Sequence, residues 1–379
     1  MTDVAAPPEI RQRPRTDIEV PVVAAAPAVL YGGTGIRREP LRPPAFRIDG
    51  FEQQFDAETL FYDAFFAPTG THVVTVGPPP LNLRPLIDRM RVVALPSGVS
   101  CGFRVEEMDR TARLWIAVPR GTDRLSVSSE LGEFAIAPRR NLCGRFAGRR
   151  VLFTLSKNNR LEWIVDWIRY HRDIHGADAV LIYDNASTEY APATLAGALA
   201  AVPGIEAACV VAWPFKYGPQ GLDARRFWDS DFCQSGALEH ARWCFLAAAR
   251  SAMNADIDEL VVSRDGRSVF EAAERAPFGV VRYRGAWVPG IEATTRTPTD
   301  RLPLRHRDFE HVLEPRRVWR WGVVPAYEDR CPPKWVVVPR RCPDHAQWSV
   351  HSVKNWIPAR RHTRDDVLVS NFSRVRWNG

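Results

Sequence analysis

Apolar and polar positions follow three regimes along the chain. Between about Phe51 and Arg149 the apolar residues come in short runs: His72–Val76 before GPPP, Met90–Leu95 before PSG, Arg113–Val118 before PRGT, and Arg124–Val127. Runs of that length between turn residues predict strands, so residues 51–149 read as a small β-rich domain. From Arg150 the period changes. RVLFTL is a strand-length run, followed by SKNN, and LEWIVDWIRYHRDIHG then sets Leu161, Ile164, Val165 and Ile168 on one helical face, with Gly176 positioned to stop the helix. Ala179–Tyr183 is a second strand, ending in DNAST. Strand, helix and strand within roughly 34 residues form a βαβ unit, which requires parallel pairing and a right-handed crossover. A helix at about 192–201, a strand at Ala207–Trp213, an Ala-rich helix at about 234–252 and a strand at about 255–262 continue the alternation of an α/β domain. Residues 1–50 contain eight prolines and little periodicity, and read as a disordered or loosely packed arm.

Composition narrows the classes. Of the 379 residues, 45% are hydrophobic and 25% charged, as expected for two or three folded domains. No stretch approaches the roughly 20 apolar residues of a membrane span, and MTDVAAPPEIRQRPR lacks the apolar core of a secretory signal. The seven cysteines include no CxxC pair, which points to reduced thiols and a cytoplasmic location rather than a disulfide framework. Residues 300–379 hold 16 Lys or Arg against 9 Asp or Glu, a difference equal to the net +7 of the whole chain. A basic end of this kind suits nucleic acid, anionic lipid or a phosphorylated small molecule.

Open α/β sheets bind ligands at the carboxyl ends of their strands. Two such ends are polar here: Ser156, Lys157, Asn158 and Asn159 after the first strand, and Asp184, Asn185, Ser187 and Thr188 after the second. The same residue types serve as helix caps and turns. Asn254 to Val262 carries Asp256, Asp258 and Glu259 within an apolar run. On a strand, Asp256 and Asp258 would share a face, as oxygen ligands for Mg²⁺ or Mn²⁺ with substrate phosphates completing the shell. The alternative is a solvated turn.

KNNRLEWIVDWIRYHRDIHGADAVLIYDNAST is similar to the opening of glycosyltransferase family 92 and of related bacterial family-2-like glycosyltransferases. Gln234–Val262 resembles their "Q, helix, D-x-D-E-F" stretch, and Lys334–Pro339 their later "K-x-I-x-x-P" strand, followed by a His, here His351. The likeness covers about residues 150–355. It departs at Asn159, where the family has Glu, at Leu260, where it has Phe, and at Trp287–Gly290, where an aromatic motif is expected. The resemblance implies a GT-A-like (Rossmann-like) mixed sheet with helices on both faces, a nucleotide-sugar donor and a divalent metal, Mn²⁺ or Mg²⁺. It sets Asn158, Asp184 and Asn185 by the nucleoside, Asp256 at the ribose or the metal, Asp258 and His351 on the metal, and Lys334 near the diphosphate. Transfer with inversion needs a carboxylate base, for which Glu292, Asp308, Glu310 and Glu328 are candidates. The acceptor would be a glycan, a polysaccharide or a lipid-linked molecule. Residues 356–379 would form a basic Trp/Arg segment, with peripheral contact to the inner membrane face.

Other readings start from the same residues. Cys331, Cys342, His345 and His351 supply zinc-ligand types without the C-x2–4-C pair of common fingers. A D-x-D phosphohydrolase, a metal-dependent nucleic-acid enzyme with stacking Trp and Arg, and a non-catalytic sugar- or nucleotide-binding module are alternatives. Nucleic acid is not the expected partner.

Overall fold

The computed structural model describes residues 18–30, 32–220, 227, 229–263, 266–283, 285–288, 306, 334–341 and 367–370. In chain order the first half comprises β1 (Val22–Ala24), β2 (Ala28–Val29), α1 (Phe51–Gln54), β3 (Thr59–Phe61), β4 (Asp63–Phe66), β5 (His72–Gly77), α2 (Arg84–Asp88), β6 (Arg91–Leu95), β7 (Val99–Cys101), β8 (Phe103–Glu107), β9 (Ala112–Ala117), β10 (Arg124–Ser129) and β11 (Gly132–Ile136). Two antiparallel four-stranded sheets result, ordered β4-β5-β9-β8 and β11-β10-β6-β7. Strand β10 alternates buried Leu125 and Val127 with exposed Arg124 and Ser126, the period-2 pattern of a half-covered sheet. Val73, Leu114 and Ile116 of one sheet share a core with Val92, Ala94, Leu125 and Val127 of the other.

Within the expected arm, the described residues 18–30 and 32–50 make contacts with the rest of the chain. Strand β1 extends the large sheet of the second half, pairing Val22, Val23 and Ala24 in parallel with Val210, Val211 and Ala212. Arg38 is buried and donates to Pro79 O and Asp56 O, while Arg42 grips Asp229 through two hydrogen bonds of 2.9 and 2.7 Å. The segment gains order from partners far away in sequence, which local composition does not register.

The second half is mixed α/β. It runs β12 (Arg150–Ser156), α3 (Leu161–His175), β13 (Ala179–Asp184), α4 (Pro192–Ala200), β14 (Ala207–Ala212), α5 (Phe232–His240), β15 (Ser251–Asn254), β16 (Glu259–Val261), α6 (Val269–Arg275), β17 (Val280–Tyr283), β18 (Gly285–Val288), β19 (Lys334–Val337) and β20 (Val367–Ser370). The seven-stranded sheet has the order β1-β14-β13-β12-β15-β19-β17, parallel throughout except that β19 opposes both of its neighbours. One face packs Leu152, Val180, Ile182, Val210 and Met253 against Ile164, Trp167 and Ile168 of α3, Leu195 and Leu199 of α4, and Phe270 of α6. The other packs Val151, Phe153, Leu181, Tyr183 and Val211 against α5 and against Tyr62, Phe65 and Val74 of the β domain. Helices therefore cover both faces, and the β domain docks on the α5 side. Helix α3 ends where the sequence says it should: Gly176, at φ 72°, sends its N–H to Arg172 O.

Two boundaries differ from expectation. The helix expected over 234–252 stops as α5 at His240, continues as one π-helical stretch, Ala241–Phe245, and gives way to β15. Strand β15 has to begin at Ser251 because it pairs Arg150–Phe153 residue for residue. The strand expected over 255–262 is in fact a turn, Ala255–Asp258, followed by β16. Asp256 and Asp258 thus lie on a turn, and the strand alternation that would align them does not apply there. Among the described residues no helix is long and apolar enough to cross a membrane.

Candidate functional site

The chain leaves β12 to build β13 and β14 on one side, then returns to build β15 on the other side of β12. This strand order makes a topological switch point between β12 and β15, and open α/β sheets take their ligands outside the carboxyl ends of the strands at such a point. Strand β12 ends in Ser156, the loop after it holds Lys157–Asn159, and the turn after β15 holds Asp256 and Asp258.

The turn is built by its own residues. Asn254 Nδ2 donates to Phe153 O at 3.1 Å and closes the end of β15. Asp256 N–H donates to Glu259 Oε2 at 2.9 Å, and Glu259 N–H donates back to Asp256 O at 2.9 Å. Glu259 is buried, whereas Asp256 and Asp258 are half-buried. From behind, His306 Nε2 donates to Ile257 O at 2.7 Å. Two partly exposed carboxylates on a rigid turn fit the chemistry of Mg²⁺ or Mn²⁺, which take one or two carboxylates and complete their shells with phosphate oxygens and water. Among the described residues no group of three or more His, Cys, Asp or Glu side chains is gathered.

The neighbouring strand ends divide into braces and open groups. Asn158, at φ 55°, braces two loops: its N–H donates to Ser187 Oγ, its Nδ2 to Thr188 Oγ1, and its Oδ1 accepts from the N–H groups of Thr188 and Glu189. Asn185 Nδ2 donates to Trp213 O and Phe215 O, tying down the loop after β14. Asp184 differs. It is 2% exposed, its Oδ2 receives one long bond from Ser187 N–H at 3.4 Å, and its Oδ1 has no hydrogen-bond partner. A buried carboxylate oxygen left unpaired costs free energy and marks a position where a donor is missing. Lys334 opens β19, whose antiparallel register (Ala252 with Val337, Met253 with Val336) sets it at the end where β15 runs out.

Sequence reasoning missed a group on the loop after β14. Tyr217, on the loop after β14, donates its hydroxyl to Gln234 Oε1 at 2.9 Å. Burial pushes its phenol well above the usual range, with the negative fields of Asp231, Cys233 and Asp256 adding and Arg110 opposing. Asp231 stands in the left-handed region (φ 61°, ψ 21°) ahead of α5, held by an ion pair with Arg110 and by hydrogen bonds from Gln220 and Ser230. Arg110 comes from the β8–β9 connection, 121 residues away, so the β domain reaches the start of α5. No local sequence signal announces such a pairing.

The candidate bases Glu292, Asp308, Glu310 and Glu328, together with His351, Cys331, Cys342 and His345, lie outside the described residues. No protein-family model matches the chain, and no curated protein matches it.

Proposed function

We propose that this chain is a GT-A-like glycosyltransferase that moves a sugar from a nucleotide-sugar donor to a glycan, polysaccharide or lipid-linked acceptor, with a divalent metal at Asp256 and Asp258. The observation that carries this reading is the rigid turn bearing those two carboxylates at the carboxyl end of β15, beside the switch point between β12 and β15. In support, the unpaired Oδ1 of Asp184 offers an acceptor to an N–H of a nucleobase or an O–H of a ribose. Lys334, at the same end of the sheet, suits a diphosphate. A metal in this position would neutralise charge developing on the departing nucleoside diphosphate. The chain's own residues fix the geometry: Glu259 and His306 hold the turn, and Asn158 and Asn185 hold the loops on either side. The acceptor's proton would go to a carboxylate from residues beyond those described.

The test combines thermal stability and nucleotide release across UDP-, GDP-, TDP- and CMP-sugars, each with and without Mn²⁺. The expected result is a stabilising donor and metal-dependent release of free nucleotide that falls at least about 100-fold in Asp258→Ala. Release unchanged by that substitution overturns the catalytic role of the turn. A donor that stabilises the protein with no release under any condition leaves a binding module in place of an enzyme.

A further inference from the structure

A cleft of about 800 Å³ opens toward the amino end of the sheet, between the β domain and the π-helical stretch after α5. Helix α5 starts beside Tyr217 at the carboxyl ends of the strands. The chain regains the sheet at Ser251, level with Arg150 at the amino end of β12. Trp243 lies near that amino end, where Asn141 Nδ2 donates to its carbonyl at 2.9 Å. The lining residues that matter are Thr69, Thr71, His72, Arg104, Trp115 and Trp243.

The aromatic wall is preorganised. The Trp115 and Trp243 rings stand nearly perpendicular, with centroids 4.9 Å apart at 86°, and His72 meets Trp115 edge-on at 6.1 Å. Trp115 Nε1 donates to Glu106 Oε2 at 3.0 Å, which fixes the ring. Behind both indoles the buried Arg113 lies 5.8 Å from the Trp115 centroid and 5.2 Å from that of Trp243, and is itself held by Glu106 and by Glu239 at 2.6 Å. At the rim, Thr69 Oγ1, Thr71 Oγ1 and His72 Nδ1 form a hydrogen-bonded row at 2.9 and 3.0 Å. Arg104, 67% exposed and paired with Glu106 at 2.7 Å, lies over Trp115 at 5.9 Å.

We propose that this cleft binds a neutral oligosaccharide segment. A pyranose presents polarised C–H groups to the negative face of an indole and hydroxyls around its edge. The fixed Trp corner and the Thr69–Thr71–His72 row match those two features. Single-stranded nucleic acid needs several exposed cations to track phosphates. Here Arg113 and Arg242 are buried, and Arg104 is neutralised by Glu106. The volume lies within the range of small-ligand sites. The inference stands apart from the donor-site reading, because it concerns a different end of the molecule and is tested by binding alone.

The test is native affinity electrophoresis of the full chain in gels carrying dextran, mixed-linkage β-glucan or xylan, with poly(dT) at several salt concentrations in parallel. Retardation by a neutral polysaccharide is expected, weakened at least about tenfold in Trp115→Ala, weakened measurably in the rim variant Thr71→Ala, and unchanged in Asp258→Ala. Thermal midpoints establish that each variant is folded; should Trp115→Ala fail that check, the exposed Thr71→Ala decides. Retardation in no gel, retardation that both cleft variants retain, or binding confined to poly(dT) with a steep salt slope overturns the proposal.

Discussion

Glu259 accepts the backbone N–H of Asp256 at 2.9 Å while returning its own N–H to the Asp256 carbonyl at the same distance. The residue that follows the D-x-D sequence is thus the clamp that shapes it. Replacing Glu259 with Ala leaves the Asp256 N–H without this acceptor in a part-buried position. The expected cost is about 1–3 kcal/mol in urea unfolding, with Mn²⁺-dependent donor binding weakened as well. Unchanged stability and unchanged binding would remove the clamp from the account.

Asp184 makes the opposite prediction for stability. Its Oδ1 is buried and unpaired, an arrangement that costs folding free energy. Asp184→Asn removes the buried charge, so the thermal midpoint should hold or rise while affinity for the nucleotide sugar falls. A fall in both would make Asp184 a structural residue.

Two buried histidines on α3 make the fold sensitive to acid. His171 donates through Nδ1 to Trp167 O and accepts the Val261 N–H at Nε2, whereas His175 donates through Nε2 to Val261 O and accepts the Val269 N–H at Nδ1. Each is neutral, and the two carry opposite tautomers. Burial pushes both below the usual histidine range, with the His175 and His306 fields adding at His171. The unfolded chain therefore takes up protons at about pH 6.5 while the folded chain does not. Stability should be constant above that pH and fall as the pH drops toward the folded-state values, by up to about 1.4 kcal/mol per pH unit for each histidine. Urea midpoints at pH 7.5, 6.0 and 5.0 measure the slope. A flat profile contradicts the assignment. Because both rings bond to Val261 in β16, the turn before that strand should loosen over the same range.

Arg42 tests whether residues 18–50 belong to the folded body. Its side chain and that of Asp229 are fully buried and paired at 2.7 Å. Arg42→Ala strands a buried carboxylate and should cost about 3–5 kcal/mol, whereas replacing both partners with apolar residues of similar volume should be close to neutral. Equal losses in the single and double variants would mean that the packing of the segment, rather than the charge pair, holds it.

The elements that could be read from the sequence are those specified locally. Buried Ile164, Trp167 and Ile168 recur at helical spacing and Gly176 follows them, so the first βαβ unit emerges as expected. The D-x-D stretch was not legible as conformation. Its apolar flank reads as strand, and the turn depends on where β15 stops pairing with β12 and on the contact from His306. Arg110 with Asp231 and Arg42 with Asp229 could not be read at all. They join residues 121 and 187 positions apart, and only the packing of the β domain and of the segment before it against the second half brings them together.

Strand β1 carries a consequence for handling the protein. It occupies the outer side of β14, taking the Val210 N–H on Pro21 O and sending the Ala25 N–H to Ala212 O. A version trimmed past Ala25 would expose a row of unsatisfied amides along Cys209–Ala212, an invitation to stick to another copy and build fibres. Shortened preparations should keep everything from Ile18 onward, and light scattering on the two lengths would reveal the difference.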